Sequence, residues 1–339
     1  MSRLALATLP TALEPARGLG AAIGASGLLT KRDDLAGATY GGNKVRKLEY
    51  LLGEALRRGC DAVLTFGAAG SNHALATAIH ARQVGLDCYA VLTEQIPNPW
   101  VANTLRWHCL LGTHMVPTTG FVESQAEAAR VKAAHPTGAD RLYEVPWGGS
   151  SPLGSLGFVD AGAELAAQLA AGGVDGPLRV YLPCGTMGSV AGLLVGLRVA
   201  GVDATVVSVK VVPQVVVDAA AVLRLASEVT RLLPPELAPA AEELAARLEF
   251  RAEFAGAGYA VPTPECVEAV ALAAEHQGIK LDTTYSGKAL ACVVADARSG
   301  RLAGQVPVFW QTWNSRPYPP GLADVDTFRL PAAFRKFFR

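Results

Sequence analysis

The alternation of short apolar runs with longer helical segments constrains this chain most. Apolar runs at residues 61–66, 87–93 and 178–184 each end in a loop, and a segment of helical composition follows each loop. Continuous apolar strands of this kind are buried on both faces, as in parallel sheets covered by helices. The sequence therefore predicts an α/β protein with parallel sheets.

Size and charge limit the possible partners. The 339 residues suggest about two domains. Lys plus Arg equals Asp plus Glu, at 30 each, so no net charge attracts the chain to nucleic acid or to an anionic membrane. No uninterrupted apolar stretch reaches the roughly 20 residues of a membrane span, and the start lacks the apolar run of a signal peptide. We therefore expect no nucleic-acid partner and no membrane partner.

The six cysteines are scattered and show no CxxC spacing. In a chain of this length, such cysteines predict buried, reduced thiols in a cytoplasmic protein and no metal site. One less regular stretch, residues 231–250, is rich in Ala, Pro and Leu. It predicts two short surface helices separated by a proline break.

The loop after the run at 61–66 is the first candidate for chemistry, because ligands of open α/β sheets lie past the carboxyl ends of strands. Gly67 and Gly70 permit tight turns, and Ser71 and Asn72 stand where a helix begins. The free amides and positive dipole of a helix start suit a carboxylate or a phosphate. The alternative is that Ser71 or Asn72 serves only as an N-cap.

The loop after the run at 178–184 is the second candidate. Residues 185–189 form a turn of mostly small residues that opens an Ala-, Gly- and Leu-rich helix. Bare amides, hydroxyls and a helix dipole suit a phosphate, although the turn matches neither the dinucleotide nor the NTP motif. A plain strand-to-helix turn is the alternative. In a third loop, Tyr285 precedes a helix and either stacks on a ligand ring or packs in the core.

A basic segment at residues 44–47 raises the question of whether one amine has a chemical role. Lys44 falls at the start of a predicted helix, behind Gly41, Gly42 and Asn43. A tight loop there can turn the side chain inward. The helix dipole disfavours a cation at this end, which suits a nucleophilic lysine. The alternative is a solvated surface charge, which is the usual state of lysine.

Several stretches together resemble one family. They are "TKRDDLAGATYGGNKVRKLEYLL", "GSNHALATA", "VPWGGSSPLGSLGFVDAGAEL", "CGTMGSVAGL", "GAGYAVPTPE" and "LDTTYSGKA", in the family's order. Over residues 10–310 the chain resembles the pyridoxal-phosphate (PLP) enzymes of fold type II, the tryptophan synthase β-subunit group. Within that group it is most similar to the 1-aminocyclopropane-1-carboxylate (ACC) deaminase and D-cysteine desulfhydrase family.

The resemblance implies two open, twisted, mostly parallel sheets flanked by helices. It implies a larger PLP-binding domain of residues 1–52 and 160–339 and a smaller α/β domain of residues 53–159. The active site is then expected in the cleft between the two domains. Family members are typically homodimers, so a homodimer is expected here too.

The resemblance also implies roles for individual residues. Lys44 would form a Schiff base with PLP, and Arg46 and Lys47 would be structural. Asn72 would bind the phenolic oxygen of the cofactor, and Ser71 would lie near the substrate. The expected phosphate ligands are Gly185, Thr186, Met187, Gly188 and Ser189. Tyr259 and Tyr285 match two active-site tyrosines that lie near the substrate and either act as acid–base groups or steer the leaving group. His73, expected with Ser71 and Asn72 at the substrate, is either a proton relay or a residue of the helix face.

Three departures from the family pattern bear on the substrate. Ser286 stands where ACC deaminases carry a Glu that faces the pyridine nitrogen, so the ring would be a weaker electron sink. Met187 stands where the family commonly has Gly, which removes backbone freedom but keeps the amide. The stretch "FWQTWNSRPYP" replaces an expected "HTGG", and Trp313 and Arg316 in it either contact an unusual substrate or pack.

The expected function is therefore a PLP-dependent deaminating lyase that acts on a small amino acid. β-Elimination of the D-cysteine desulfhydrase type, giving keto acid and ammonia, is favoured because a good leaving group demands less of the ring than cyclopropane opening does. The alternatives are ACC deaminase proper, an amino-acid racemase and a β-replacement synthase. A non-catalytic binding protein that has kept the fold is the alternative from another class.

Overall fold

A computed structural model describes residues 2–214 and 216–338. The strands in chain order are β1 (Leu13–Pro15), β2 (Leu29–Lys31), β3 (Ala62–Ala68), β4 (Asp87–Thr93), β5 (His114–Thr118), β6 (Leu142–Val145), β7 (Leu178–Cys184), β8 (Ala204–Lys210), β9 (Leu248–Arg251) and β10 (Val306–Trp310). The helices are α1 (Arg17–Ile23), α2 (Lys44–Arg57), α3 (Asn72–Gln83), α4 (Pro99–Leu111), α5 (Phe121–Ala133), α6 (Pro152–Ala171), α7 (Gly188–Val199), α8 (Ala219–Thr230), α9 (Ala241–Ala246), α10 (Pro264–Gln277) and α11 (Ser286–Arg298).

The chain forms two compact units, and the smaller one comprises residues 1–7, 44–149 and 316–339. Its four strands lie in the order β5-β4-β3-β6, and every pair is parallel. Helix α3 packs on β4 and on α2, and α5 packs on the sheet as well. All seven residues of β3 are buried, as expected for a central strand covered on both faces.

The larger unit comprises residues 8–43 and 150–315. Its strands lie in the order β1-β2-β10-β7-β8-β9, with β1 antiparallel to β2 and the other pairs parallel. Helices α6 and α7 approach closely: a Cβ on Gly192 would lie 2.1 Å from the carbonyl oxygen of Ser155, and one on Gly196 would lie 2.4 Å from that of Val159. These glycines are needed for the contact, which fixes the start of α7 and the loop in front of it.

The α/β class and the two mostly parallel sheets predicted from the sequence are confirmed. The chain passes from one unit to the other at 43/44 and 149/150, and residues from 316 onward belong to the smaller unit. The predicted domain boundaries lie at 52/53 and 159/160. The prediction for residues 231–250 was partly wrong. A 3₁₀ turn at Pro235–Leu237 and the short helix α9 do occur, but the run ends in strand β9, which pairs with β8.

All six cysteines are buried thiols. Within residues 2–214 and 216–338, no helix is both long enough and apolar enough to cross a membrane.

Candidate functional site

Lys44 is the first residue of α2, and its side chain is partly buried. The two neighbouring basic residues are not surface charges. Arg46 and Lys47 are each 1% exposed, and Lys47 Nζ donates to the carbonyl oxygen of Gly148 at 3.1 Å. Because a buried amine needs a partner, this bond identifies Lys47 as part of the packing of the smaller unit. Lys44 is thus the more exposed of the two lysines at the start of the helix.

Ser71 is the N-cap of α3, and its Oγ accepts the amide of Ala74 at 3.2 Å. Gly67 makes room for this side chain, since a Cβ there would lie 2.5 Å from Ser71 Oγ. The amide of Ser71 donates to the Ala68 carbonyl at 2.8 Å, and that of Gly70 donates to Gln95 Oε1 at 2.8 Å. The cap uses only the oxygen of Ser71 as an acceptor, so its hydroxyl hydrogen can still be donated to a ligand.

His73 lies one residue beyond Asn72 and is 5% exposed. Its Nε2 is hydrogen-bonded to Thr65 Oγ1 at 3.0 Å. Burial lowers the pKa of His73 well below its usual value, and the charges of Lys44 and Lys47 lower it further. The ring is therefore neutral at neutral pH, which favours the helix-face interpretation over a proton relay.

The loop before α7 has an unusual backbone. Met187 occupies the N-cap position with a φ of +68°, a left-handed conformation that residues other than glycine rarely adopt. Methionine has no oxygen that could cap the helix. Within the described residues, no acceptor takes the amides of Ser189 and Val190. A strained turn with open amides is what an anion at a helix start would stabilise.

Side chains of the larger unit brace this loop from two sides. Ser150 Oγ is hydrogen-bonded to Thr186 Oγ1 at 2.8 Å and accepts the amide of Gly188 at 3.1 Å. Asn43 Nδ2 donates to Ser189 Oγ at 3.1 Å, and both side chains are buried. The hydroxyls of residues 186 and 189 are therefore held in place before any ligand arrives.

Tyr285 lies directly against the same loop, since a Cβ on Gly185 would lie 3.1 Å from Tyr285 Cε1. Its hydroxyl is hydrogen-bonded to that of Tyr259 at 2.9 Å. Burial raises the pKa of Tyr259 to about 12 and raises that of Tyr285 well above its usual value. Both phenols stay protonated at neutral pH, so the pair can donate hydrogen bonds but is only weakly acidic.

Ser286 is fully buried, and its hydroxyl forms two hydrogen bonds with Asp282. Its hydroxyl donates to Asp282 Oδ1 at 2.6 Å and accepts the amide of Asp282 at 3.0 Å. The Asp282 carboxylate also accepts the amides of Thr284, Tyr285 and Ser286 at 2.8–2.9 Å. The one donor hydrogen of Ser286 is therefore used within the chain, and Asp282 fixes the start of α11 and the backbone of Tyr285.

The predicted site residues thus fall into two groups. The smaller unit brings together Lys44, Ser71, Asn72 and His73, because α2 packs on α3. The larger unit brings together residues 185–189 and the aromatic pair, with Ser286 behind them. Both groups fit PLP chemically: the first offers a partly exposed amine, and the second offers open amides at a helix start beside aromatic rings.

Reasoning from the sequence missed four residues that hold these groups in place. They are Asn43, Ser150, Asp282 and Asn314. Each is a small polar residue in a loop, so composition alone does not distinguish it from an ordinary turn residue. Three of them lie inside the stretches that carry the family resemblance, which is the signal that could have found them.

Comparison with known proteins gives a consistent result. The family model described as "Pyridoxal-phosphate dependent enzyme" matches residues 4–310. The chain is 34% identical over 332 residues to nocardicin C-9' epimerase of Nocardia uniformis subsp. tsuyamanensis, covering 95% of this chain and 98% of that one. It is 32% identical over 312 residues to D-cysteine desulfhydrase of Salmonella choleraesuis, covering 91% and 92%. A solved structure of an ACC deaminase homologue superposes with a TM-score of 0.78 at 28% identity, covering 96% and 97% of the two chains.

Proposed function

Because the chain belongs to the pyridoxal-phosphate-dependent enzyme family, we propose that it is a deaminating lyase of the D-cysteine desulfhydrase type. The membership confirms the resemblance seen in the sequence, the PLP cofactor, the type II fold and the lyase or deaminase class. We propose that the substrate is a small amino acid with a good leaving group on Cβ, such as the sulfur of D-cysteine. The reaction breaks the bond between Cβ and that group.

The phenol pair of Tyr259 and Tyr285 is the observation that carries this proposal. Two phenols whose pKa values are raised by burial are poor acids at neutral pH. They can orient a departing group and stabilise it by hydrogen bonding, but they protonate a poor leaving group slowly. A thiolate or a chloride leaves without strong acid assistance, whereas the hydroxide of serine does not. The arrangement therefore supports cysteine-like substrates over serine.

The proposed roles of the remaining residues follow from their places in the structure. When bound, PLP supplies the electron sink that makes the α-proton of an amino acid acidic. Lys44 would hold the cofactor covalently, and its amine, once the substrate's amino group has displaced it, would remove the α-proton. Asn72 binds the phenolic oxygen of the cofactor, Ser71 orients the substrate carboxylate, and His73 packs behind them.

The phosphate is assigned to the loop before α7. We assign its binding to Gly185, Thr186, Met187, Gly188 and Ser189, and the amides of Ser189 and Val190, which have no acceptor among the described residues, support this assignment. Ser286 holds Asp282, which fixes the backbone of Tyr285, and it offers no carboxylate to the pyridine nitrogen. With D-cysteine, the α-proton and the sulfide leave, and water releases pyruvate and ammonia.

Epimerisation is a second candidate, because nocardicin C-9' epimerase matches 95% of the chain. Both reactions begin with removal of the α-proton. They diverge when the proton is returned to the opposite face of Cα or the β-substituent departs. Recovery of the opposite Cα configuration with deuterium at Cα in D₂O, without ammonia, would favour epimerisation.

The test begins with the cofactor. Purified wild-type protein is mixed with PLP, reduced with borohydride and digested, and we expect the label on the peptide that contains Lys44. Lys44→Ala is expected to lose the label and all detectable turnover. Protein that stays colourless with PLP and takes no label overturns the proposal.

A substrate panel then separates the candidate reactions. D- and L-cysteine, β-chloroalanine, serine and ACC are scored for ammonia, keto acid and deuterium. We expect pyruvate from D-cysteine and β-chloroalanine and little from serine. Turnover of ACC alone identifies ACC deaminase proper, and consumption of an added thiol identifies a β-replacement synthase. PLP binding without any turnover identifies a binding protein.

Assembly and location complete the proposal. We expect a homodimer, which sedimentation velocity tests directly. A cytoplasmic location stays a prediction, which cell fractionation with an antibody to the protein tests.

A further inference from the structure

The stretch that replaces the family's "HTGG" lies against the loop that precedes Lys44. In the larger unit, Asn314 Oδ1 accepts the amide of Gly41 at 2.6 Å. The Thr312 carbonyl accepts the amide of Asn43 at 3.1 Å. Asn314 is 7% exposed, so its bond to the loop is shielded from water. Asn314 and Thr312, which both follow β10, therefore hold the two ends of the Gly41–Asn43 loop.

The opposite side of the loop is held by the segment after β2. The Asp33 carbonyl accepts the amide of Gly42 at 2.7 Å. A Cβ on Gly41 would lie 2.0 Å from the Asp34 carbonyl oxygen, and one on Gly42 would lie 2.8 Å from the Thr312 carbonyl oxygen. Gly42 also has a φ of +93°, which favours glycine. The loop is thus clamped between two backbone segments and has no room for side chains at its first two positions.

The third residue of the loop connects it to the proposed phosphate site. Asn43 Nδ2 donates to Ser189 Oγ in the first turn of α7, and Lys44 is the next residue of the chain. A shift of the loop backbone would therefore change both the hydrogen bond to Ser189 and the position of the Lys44 Cα.

We propose that Asn314 is a positioning residue for Lys44. By accepting the amide of Gly41, Asn314 holds the loop against the start of α7 and fixes the backbone from which Lys44 extends. Without this acceptor, the buried amide of Gly41 loses its partner and the loop shifts to recover one. The inference rests on the proposed covalent role of Lys44, and it assigns a purpose to a stretch that departs from the family pattern.

The test compares Asn314→Ala with Asn98→Ala, which removes the same kind of acceptor from another loop. Asn98 is also an asparagine whose Oδ1 accepts backbone amides, those of Trp100 and Val101, at the start of α4. We expect Asn314→Ala to raise the Kd for PLP about 10-fold and to slow borohydride labelling of Lys44 by a similar factor, because a lost partner at a buried amide costs about 1–3 kcal/mol. Asn98→Ala should lower the melting temperature comparably and leave both measurements within about 2-fold of wild type.

A conservative variant separates positioning from packing. Asn314→Asp keeps the acceptor oxygen and should recover PLP affinity to within about 3-fold of wild type. If Asn314→Ala is insoluble, Asn314→Ser takes its place, because its shorter hydroxyl does not span the same distance to Gly41. Wild-type affinity and labelling in the Ala or Ser variant, with only a lower melting temperature, overturn the inference. Absence of label on Lys44 in the wild type overturns the proposed function instead, so the two failures are distinguishable.

Discussion

The loops that precede α3 and α7 differ in how they cap the helix that follows. At the start of α3, Ser71 has a φ of −67° and caps the helix with its own hydroxyl. At the start of α7, Met187 has a φ of +68° and offers no capping oxygen. One helix start is capped by a side chain of its own sequence, whereas the other is strained and has no capping side chain.

The two loops obtain their stability from different sources. A helix start leaves amides without partners within the helix, and a side chain, water or ligand must satisfy them. The α3 start uses a side chain, so it forms without help. The α7 start is held in shape by Ser150 and Asn43, while its amides face the position assigned to a phosphate. We therefore expect Gly185→Val in the α7 loop to act mainly on PLP binding and Ser71→Ala in the α3 loop to act on both folding and turnover.

Gly185→Val should have the largest effect. The new side chain would press on Tyr285, whose Cε1 lies 3.1 Å from the position of a Cβ at residue 185. Overpacking of this kind costs about 1–3 kcal/mol, so we expect the Kd for PLP to rise by up to about 100-fold. Fluorescence titration of the apo-protein measures the change.

A glycine without neighbours provides the control for Gly185→Val. Gly120 has nothing within 4 Å of its Cβ position and has an extended φ of −176°. Gly120→Val should leave the Kd for PLP unchanged. Equal affinity in both variants would mean that the tyrosine ring does not form part of the cofactor site.

Ser71→Ala should have an intermediate effect on two quantities at once. Loss of the N-cap should lower the free energy of unfolding by about 1 kcal/mol. Loss of the hydroxyl donor should lower kcat/KM about 10-fold, since such a bond contributes about 1–2 kcal/mol. Urea denaturation and steady-state kinetics with the best substrate of the panel measure the two changes.

Asp218→Ala is the control for this cap, because Asp218 Oδ1 caps α8 through the amide of Ala221 at 2.7 Å. It should lose comparable stability and keep full kcat/KM. If Ser71→Ala also keeps full activity, Ser71 is only a cap, as the alternative from the sequence proposed.

Much of this contrast could be predicted from the sequence, and the limits have physical causes. Strand β7 at 178–184 and the helix after it were predicted correctly because their hydrophobic pattern is local. Strand β9 was missed because its four residues are only partly buried and resemble the end of the preceding helix. The partners of the α7 loop were missed because Asn43 and Ser150 lie far from it in the chain, and pairings over such separations depend on the whole fold.

Met187→Gly should have a smaller effect, and its sign is informative. Releasing the left-handed φ gains about 1 kcal/mol, and the greater freedom of glycine in the unfolded chain offsets about half of this. We expect the apo-protein to gain about 0.5 kcal/mol and PLP affinity to stay within about 2-fold, because the amide remains. Ser71→Gly, the same replacement at the other cap, should instead lose a few tenths of a kcal/mol. Loss of stability in both variants would show that position 187 is not strained.

The pH dependence of stability should be the smallest effect, and it should differ in direction between the two loops. Beside the α3 loop, the lowered pKa of His73 means that the unfolded chain binds a proton there more readily than the folded one does. Stability should therefore fall as the pH drops below about 6.5, the usual pKa of histidine.

Beside the α7 loop, the raised pKa of Tyr259, about 12, means that the folded chain keeps the phenolic proton to a higher pH than the unfolded chain does. Stability should then fall as the pH rises from about 10 towards 12. His73→Gln should make the acid limb of urea midpoints measured across pH shallower, and the buried His108, whose pKa is lowered to about 3, should keep part of the slope. Tyr259→Phe should make only the alkaline limb shallower, and Tyr285, whose pKa is raised as well, should keep part of that slope. Since each variant removes one titrating group from one unit, a change in the opposite limb would show that the two loops are not independent.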